Sequence, residues 1–498
     1  MAKDEGTIGR LAASLWGDRW QPLSRLLKRR IDTAARRLRA GDTEAGLAAL
    51  EALLPRLRDP NLRLTALKHL LWGRVMRARG LQAAGEAAMA AGEIGLVAER
   101  LKLETESGPL SVAKRLALLD RAATLLARYQ ARHRWATALR GASPEAARPR
   151  KGALSQLETL IEARSSKLAA DDARAVVATV AAKEDLPAVW WLVAHGRLYR
   201  LGLVGAAVEA KRAAARAVLS GVPDGGEART MQLAAAAHIG DRDRVEALTA
   251  GTPASRQRRD ALLALGDIAA ARALDEGLRG RADRRLAESL AGKTVAIVGP
   301  APNTLASGPA IDAHDAVART NFIPSEGFRA AEAMLGRRTT LAYYNSMFMR
   351  THEAGIVAAL KAGAVDSVAL RSPAERLRMR WLTRGQGARP YHFSHAVFMA
   401  RGFAMRHILN DLLLLPVAGV TCYGADFYLG DVGTFAGYNR HNPDLTRSYI
   451  VHDPLDCWLF MRRMQDAGLL KADAVLSRIL ALGEDGFIEA LGARVARP

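Results

Sequence analysis

Cysteine is nearly absent from this chain: Cys422 and Cys457 are the only two in 498 residues. Two thiols make neither a disulfide framework nor a metal site with C-x-x-C spacing. So few of them point to a reducing cytoplasm. Aromatic residues make up 5% of the sequence, a poor supply for the stacking platforms on which single-stranded nucleic acid rests. There is no zinc-finger spacing and no RNP-like aromatic motif, so nucleic acid is not expected as a partner. No apolar run reaches the roughly 18 residues that span a bilayer. The longest leucine run, Leu412 to Leu415, is ended by Pro416. The opening MAKDEGTIGR mixes acid and base without an apolar core, so no secretory signal is expected there. The glycine patterns G-x-G-x-x-G and G-x-x-x-x-G-K-[ST] are also missing around the strongest strand signal. Lys293 precedes that strand and cannot act as a P-loop lysine.

What remains is a soluble, globular composition, with 49% hydrophobic and 25% charged residues. At roughly 100–200 residues per domain, the length suggests two or three domains. The net charge is +21. Charge speaks to partners and not to fold, and here it favours anionic ones: a charged sugar donor and acceptor, a protein partner, or the inner membrane face.

Residues 1–288 read almost entirely as helix. Ala, Leu, Arg and Glu dominate, and apolar residues recur at 3–4 spacing, as in Ala45-Leu47-Leu50-Leu53-Leu54. Breaks fall at Asp59-Pro60, Gly108-Pro109, Gly141–Pro144 and Gly221–Gly226. A Gly-Asp junction recurs at Gly41-Asp42, Gly240-Asp241 and Gly266-Asp267. Each reads as a Gly-capped helix end followed by an Asp N-cap. The pattern resembles tetratricopeptide-like helix pairs; a non-repetitive helical bundle is the alternative. Trp190, Trp191 and His195 sit in an apolar helix and are expected in a core.

Residues 289–498 alternate strand and helix. Strands are expected at Thr294–Val298, Ala316–Ala318, Thr340–Tyr344, Ser367–Leu370 and Val417–Tyr423. Helices are expected at Glu353–Ala362, His395–Leu415, Asp453–Ala467 and from Lys471 onward. This alternation predicts an α/β domain with a Rossmann-like, mostly parallel sheet and helices on both faces, beside an all-α, helical-repeat-like N-terminal region. The first strand stops at Gly299 and enters Pro300-Ala301-Pro302-Asn303. The second closes on Arg319-Thr320-Asn321. Open α/β sheets bind ligands at this C-terminal edge.

The segment from Lys293 to Asn321 resembles the large motif of the sialyltransferase family, glycosyltransferase family 29. The matching positions are Gly299, Asn303, Ser307-Gly308, Ile311-Asp312-Ala313-His314 and Arg319-Thr320-Asn321. Pro300 and Pro302 replace an Asn and a Gly of the family pattern, and Val295 stands where the animal enzymes carry a cysteine. Three later stretches follow in family order. Ser394, then a strand leading to Tyr423-Gly424, resembles the small motif, with His395 and Ala396 in place of Thr and Gly. Tyr438-Asn439-Arg440-His441 corresponds to a short aromatic/His motif. His452 corresponds to the catalytic base of the very-small motif. The companion Glu position of that motif is Cys457, one residue after Asp456.

The local chemistry is compatible with these roles. Ser394 would cap a helix whose free N–H groups form an anion site. Asp453 reads as an N-cap, Pro454 as N1 and Asp456 as N3, which holds His452 just before a helix start. The positive potential there disfavours imidazolium, and a neutral imidazole is what a general base requires.

The resemblance implies an inverting transfer of a sialic-acid-type sugar acid from a CMP-activated donor to a glycan hydroxyl. Bacterial surface polysaccharide or glycoconjugate synthesis is the natural setting. His452 would be the catalytic base, and Gly299, Asn303, Asn321, Ser394, Tyr438 and His441 would hold the donor nucleotide. No cofactor and no metal is implied, because CMP leaves as a phosphate monoester. The second possibility is a helical-repeat scaffold carrying an inactive or different nucleotide-binding α/β domain; Pro300, Pro302, His395 and Cys457 favour it.

Overall fold

The computed structural model describes residues 17–104, 152–162, 169–220, 225–250, 255–301, 305–370, 387–391, 397–400, 402–430 and 452–496. It also describes isolated positions within 110–125 and 376–382. The chain divides into two compact units, Met1–Asp224 and Gly225–Pro498. Among the described residues, no helix is long and apolar enough to cross a membrane.

The first unit is helical: α1 Gly17–Arg39, α2 Thr43–Leu53, α3 Pro60–Ala83, α4 Ala87–Lys102, α5 Ala153–Glu162, α6 Ala170–Lys183, α7 Ala188–Arg200 and α8 Val204–Ser220. α1 packs on α2 and α3, α3 on α2 and α4, α5 on α6, and α8 on both α6 and α7, and a short 3₁₀ turn, Leu54–Arg56, follows α2. Trp190, Trp191 and His195 are buried in α7, as their apolar setting predicts, and His195 Nδ1 meets the Ala207 carbonyl at 2.8 Å.

The second unit opens with five helices: α9 Gly225–Ile239, α10 Arg242–Thr249, α11 Arg256–Leu265, α12 Ile268–Leu278 and α13 Arg281–Leu290. The Gly-Asp junctions are turns between helices. Gly266 closes α11 at φ +81, and Asp267 then accepts from the Ala270 N–H at 3.1 Å. Asp241 caps α10 in the same way through Arg244 N–H, whereas the Asp42 side chain makes no cap bond. The compact unit therefore begins well before residue 288, where the sequence changes from helical to alternating texture.

Seven strands follow: β1 Thr294–Val298, β2 Ala316–Thr320, β3 Leu341–Tyr344, β4 Ser367–Leu370, β5 Ala388–Pro390, β6 Gly419–Tyr423 and β7 Leu470–Ala472. All pair in parallel, in the order β5-β4-β3-β2-β1-β6-β7. The central strands are buried on both faces, as parallel strands covered on both sides must be. The interleaved helices are α14 Gly308–Asp312, α15 Glu326–Ala330, α16 Glu332–Leu335, α17 Ser346–Lys361, α18 Ala404–Leu413, α19 Pro454–Asp466, α20 Ala474–Leu480 and α21 Glu484–Ala496. Ala296, Val298, Val317, Ala342, Tyr344 and Leu370 share one core with Ile311, Phe328, Leu335 and Ile356 from α14–α17. The opposite face carries α18, buried along its length.

Two short strands escaped the sequence reading, because β5 and β7 have three residues each. The helix expected from His395 begins only at Ala404. Turns occupy 397–400 and Phe403 holds the N-cap, after the helix-breaking Gly402.

A buried ionic network fastens α18 and the preceding helices to the sheet. The Tyr343 hydroxyl donates to Asp411 Oδ2 at 2.5 Å, and the Arg389 guanidinium grips both Asp411 oxygens. Arg389 Nε also reaches Asp283 of α13 at 3.2 Å. Burial opposes the charge on Arg389, but Asp411 overrides it and raises the pKa. Burial, and then Asp411, push the Tyr343 phenol up. From α12, Arg272 donates to the Leu413 carbonyl at 2.5 Å, and just beyond it Arg279 donates to that of Leu414 at 2.5 Å, satisfying the end of α18. The cavity beside this network, about 40 Å³, admits water but not a nucleotide.

Asp411→Ala is expected to cost about 3–5 kcal/mol in urea unfolding, since it leaves Arg389 as a buried uncompensated charge. A fragment of 225–498 is expected to melt cooperatively. A fragment of 288–498 loses Asp283, Arg272 and Arg279 and is expected to melt lower or not to fold. Equal melting temperatures would show that these helices add nothing to the sheet.

Candidate functional site

Two glycines bring the ends of β1 and β6 together. Gly299 N–H donates to the Tyr423 carbonyl at 2.8 Å, and Ala301 N–H to that of Gly424 at 3.0 Å. A methyl group on Gly299 would stand 2.3 Å from the Gly424 carbonyl oxygen and 3.1 Å from Met405 Sδ of α18. Asp473 fixes the other side: its carboxylate accepts from Gly424 N–H at 2.8 Å while capping α20. The strand order runs outward from β1 through β5, then returns to β6 on its other side. At such a reversal, outside the carboxyl ends of the strands, open α/β sheets take their ligands.

The backbone around this edge is strained. Among the described residues, five non-glycine residues have positive φ: Asn321 (+48°), Met399 (+47°), Phe427 (+53°), Tyr428 (+61°) and Asp453 (+46°). All five lie in connections that leave the carboxyl ends of strands, after β2, β5 or β6. Each such conformation costs on the order of 1–3 kcal/mol, and such costs concentrate at functional sites. Two bulky residues in succession, Phe427 and Tyr428, are the least expected of them. Asp426 stabilises the turn by accepting from the N–H groups of Tyr428 and Gly430 at 2.9 and 3.2 Å. Burial holds its carboxyl above the usual range despite those donors.

His452 stands at this edge. Its ring stacks on Phe403 at 5.3 Å, and Phe403 also meets Tyr428 at 5.2 Å. Asp453 caps α19 as expected, accepting from Asp456 N–H at 3.1 Å, with Pro454 at the first helical position. Asp456 is committed elsewhere, to Arg406 and, at 3.6 Å, to His238 Nδ1 of α9. Burial pulls Arg406 down to about 10, still protonated at neutral pH, and its guanidinium lies 4.7 Å from the Phe460 ring. Cys457 is fully buried, which pushes its thiol up to about 12, so it is no carboxylate substitute.

Other residues of the stretch from Lys293 to Asn321 are used inside the fold. Arg319 is buried and donates to the carbonyls of Leu335 and Arg338 at 2.7 and 2.9 Å, with its guanidinium over Phe328. Desolvation lowers it to about 10. Asp312 accepts from the N–H groups of Arg337 and Arg338. A methyl group on Gly308 would meet the Glu332 carbonyl at 2.3 Å. The His314 ring meets the Tyr423 hydroxyl at 3.1 Å, and burial lowers its pKa.

The sequence-predicted residues thus divide two ways. Gly299, Asn321 and His452 all stand at the carboxyl edge of the sheet. Asn321 partly braces it, its Oδ1 accepting from Asn345 N–H at 3.2 Å. Asn303, Ser394, Tyr438 and His441 lie outside the described residues. Phe403, Arg406, Tyr428 and His238 were not read from the sequence. His238 lies more than two hundred positions from His452, and no spacing rule links them.

Gly299→Ala is expected to cost about 1–3 kcal/mol, because the added methyl has only backbone and Met405 to displace. Chemical unfolding measures it; an unchanged midpoint would show that the β1 and β6 loops part freely. No protein-family model matches the chain, and no curated protein matches it.

Proposed function

We propose that residues from about 289 onward form a Rossmann-like, sialyltransferase-like inverting glycosyltransferase that uses a CMP-activated sugar acid. The observation that carries the proposal is the coincidence at one sheet edge. Gly299 and Asn321, from the two ends of the large motif, and His452, from the very-small motif far along the chain, all meet the strained loops there.

In this reading the nucleotide lies against Gly299, where the absence of a side chain lets the backbone come close, and Asn321 contributes a polar contact from β2. His452 accepts the proton of the acceptor hydroxyl. That oxygen bonds to the anomeric carbon as the bond from this carbon to the CMP phosphate oxygen breaks. Inversion follows from the single displacement, and CMP departs with the bonding electrons. Donors near the leaving phosphate lower the barrier by meeting its developing charge; Ser394, Tyr438 and His441 are assigned there by resemblance. The acidic companion of the family's base is replaced. With Asp456 engaged by Arg406 and Cys457 a buried thiol, the Phe403 face takes over the orienting of His452.

The helical first unit, in this reading, is tetratricopeptide-like and serves to bring the enzyme to a partner or to the membrane face. A scaffold with an inactive α/β domain is the competing outcome of the tests below.

Calorimetry with CMP, CDP, UMP and NAD is expected to give binding for CMP alone. Asn321→Ala should weaken it by the loss of one ligand hydrogen bond, about 1–3 kcal/mol. Binding of NAD in place of CMP would replace this assignment with another nucleotide enzyme.

His452→Ala should lower turnover about 10²–10⁴-fold while leaving CMP affinity unchanged. Its pH–rate profile should lose the acidic limb. A stable His452→Ala protein with near-normal turnover would remove the histidine from the chemistry. Turnover is also expected to survive EDTA.

A further inference from the structure

Independently of the α/β domain, we propose that the first unit carries a docking groove for an acidic, amphipathic helical segment of a partner protein. The groove runs between α1 and α2, with a volume of about 350 Å³. Its floor is apolar and its small residues, among them Ala34, Ala49 and Ala52, allow close approach. Its rim holds four arginines, Arg29, Arg30 and Arg37 from α1 and Arg56 from the following 3₁₀ turn.

None of these four arginine side chains makes a hydrogen bond or ion pair among the described residues. Other arginines of this unit are matched: Arg63 with Glu104 at 2.5 Å, Arg74 with Glu93 at 2.8 Å, and Arg77 with Glu44 at 3.2 Å. The acids of α2 are turned away from the groove, since Glu44 and Glu51 are engaged by Arg77 and Arg74 of α3. Four like charges around one concavity repel one another, so the unbound arrangement is unfavourable and a bound anion relieves it.

The chemistry narrows the occupant. Arginine presents a planar fork that pairs with carboxylates in bidentate fashion. The alanine floor suits the apolar stripe of a helix, as in helix-in-groove recognition. Leu26, one helical turn before Arg29 and Arg30, is 48% exposed and extends the apolar strip along α1. Among the described residues, no aromatic side chain lines the groove, which leaves a glycan without a stacking surface. A second copy of the chain is repelled by its own net charge of +21. A bilayer is flat and cannot fill a concavity.

The test uses the full chain and a fluorescein-labelled 18-residue peptide with leucines on one helical face and glutamates flanking it. The control is a scrambled peptide of the same composition; vesicles of phosphatidylglycerol form a second arm. The helical-face peptide should bind more tightly than the scrambled one. Arg30→Ser/Arg37→Ser and, separately, the groove-filling Ala52→Trp should each weaken it at least about tenfold. The double variant should melt no lower than the parent, because repulsion is removed. Circular dichroism confirms that both variants remain helical. Equal binding of the scrambled peptide, insensitivity to Ala52→Trp, or binding to vesicles alone would each overturn the proposal.

Discussion

The carboxylate of Asp411 is the contact on which the second unit turns. It is buried in the middle of the fold and receives the Tyr343 hydroxyl from β3 and the Arg389 guanidinium from β5. Removing two such charges from water is expensive, and only complete hydrogen bonding makes it tolerable. The arrangement therefore admits one orientation of α18 against the sheet. That orientation sets the other end of the helix. Phe403, Met405 and Arg406, two turns earlier, are aimed at His452, Gly299 and Asp456. Through Asp283, the same network draws in the helices that precede the sheet.

At the far end the backbone is held in conformations that side chains normally avoid. Among the described residues, five with positive φ lie in connections leaving the carboxyl edge, and neighbours that offset the local cost hold four of them. Asp426 holds the Phe427-Tyr428 turn, Asn345 holds Asn321, and Asp453 is held by the first turn of α19. The distribution matters more than any one angle. Among its described residues, the helical first unit contributes none of the five.

Much of the architecture was legible because parallel strands and packed helices obey strong periodicities. The apolar run Thr294–Val298, the Gly-Asp turns and the Asp453-Pro454 helix start all appear where local chemistry demands them. Short elements were not legible. Three-residue strands such as β5 carry no period, and Arg389 in its centre disguises a buried position. The helix start at Ala404 was missed because Ser394 offers a better cap on paper than Phe403. Within the site, Gly299 announced a close approach, whereas nothing local showed that Arg319 and Asp312 tie together their own loops. His238 and Arg406 meet Asp456 only through tertiary packing, which no local pattern encodes.

Hydrogen exchange with and without CMP addresses the central proposal most directly, because it reads position as well as binding. Protection is expected at Gly299 and Ala301, at Asn321, and across 424–430, with little change in α1–α8. Protection elsewhere, or none at saturating CMP, would contradict a nucleotide site at the β1–β6 reversal.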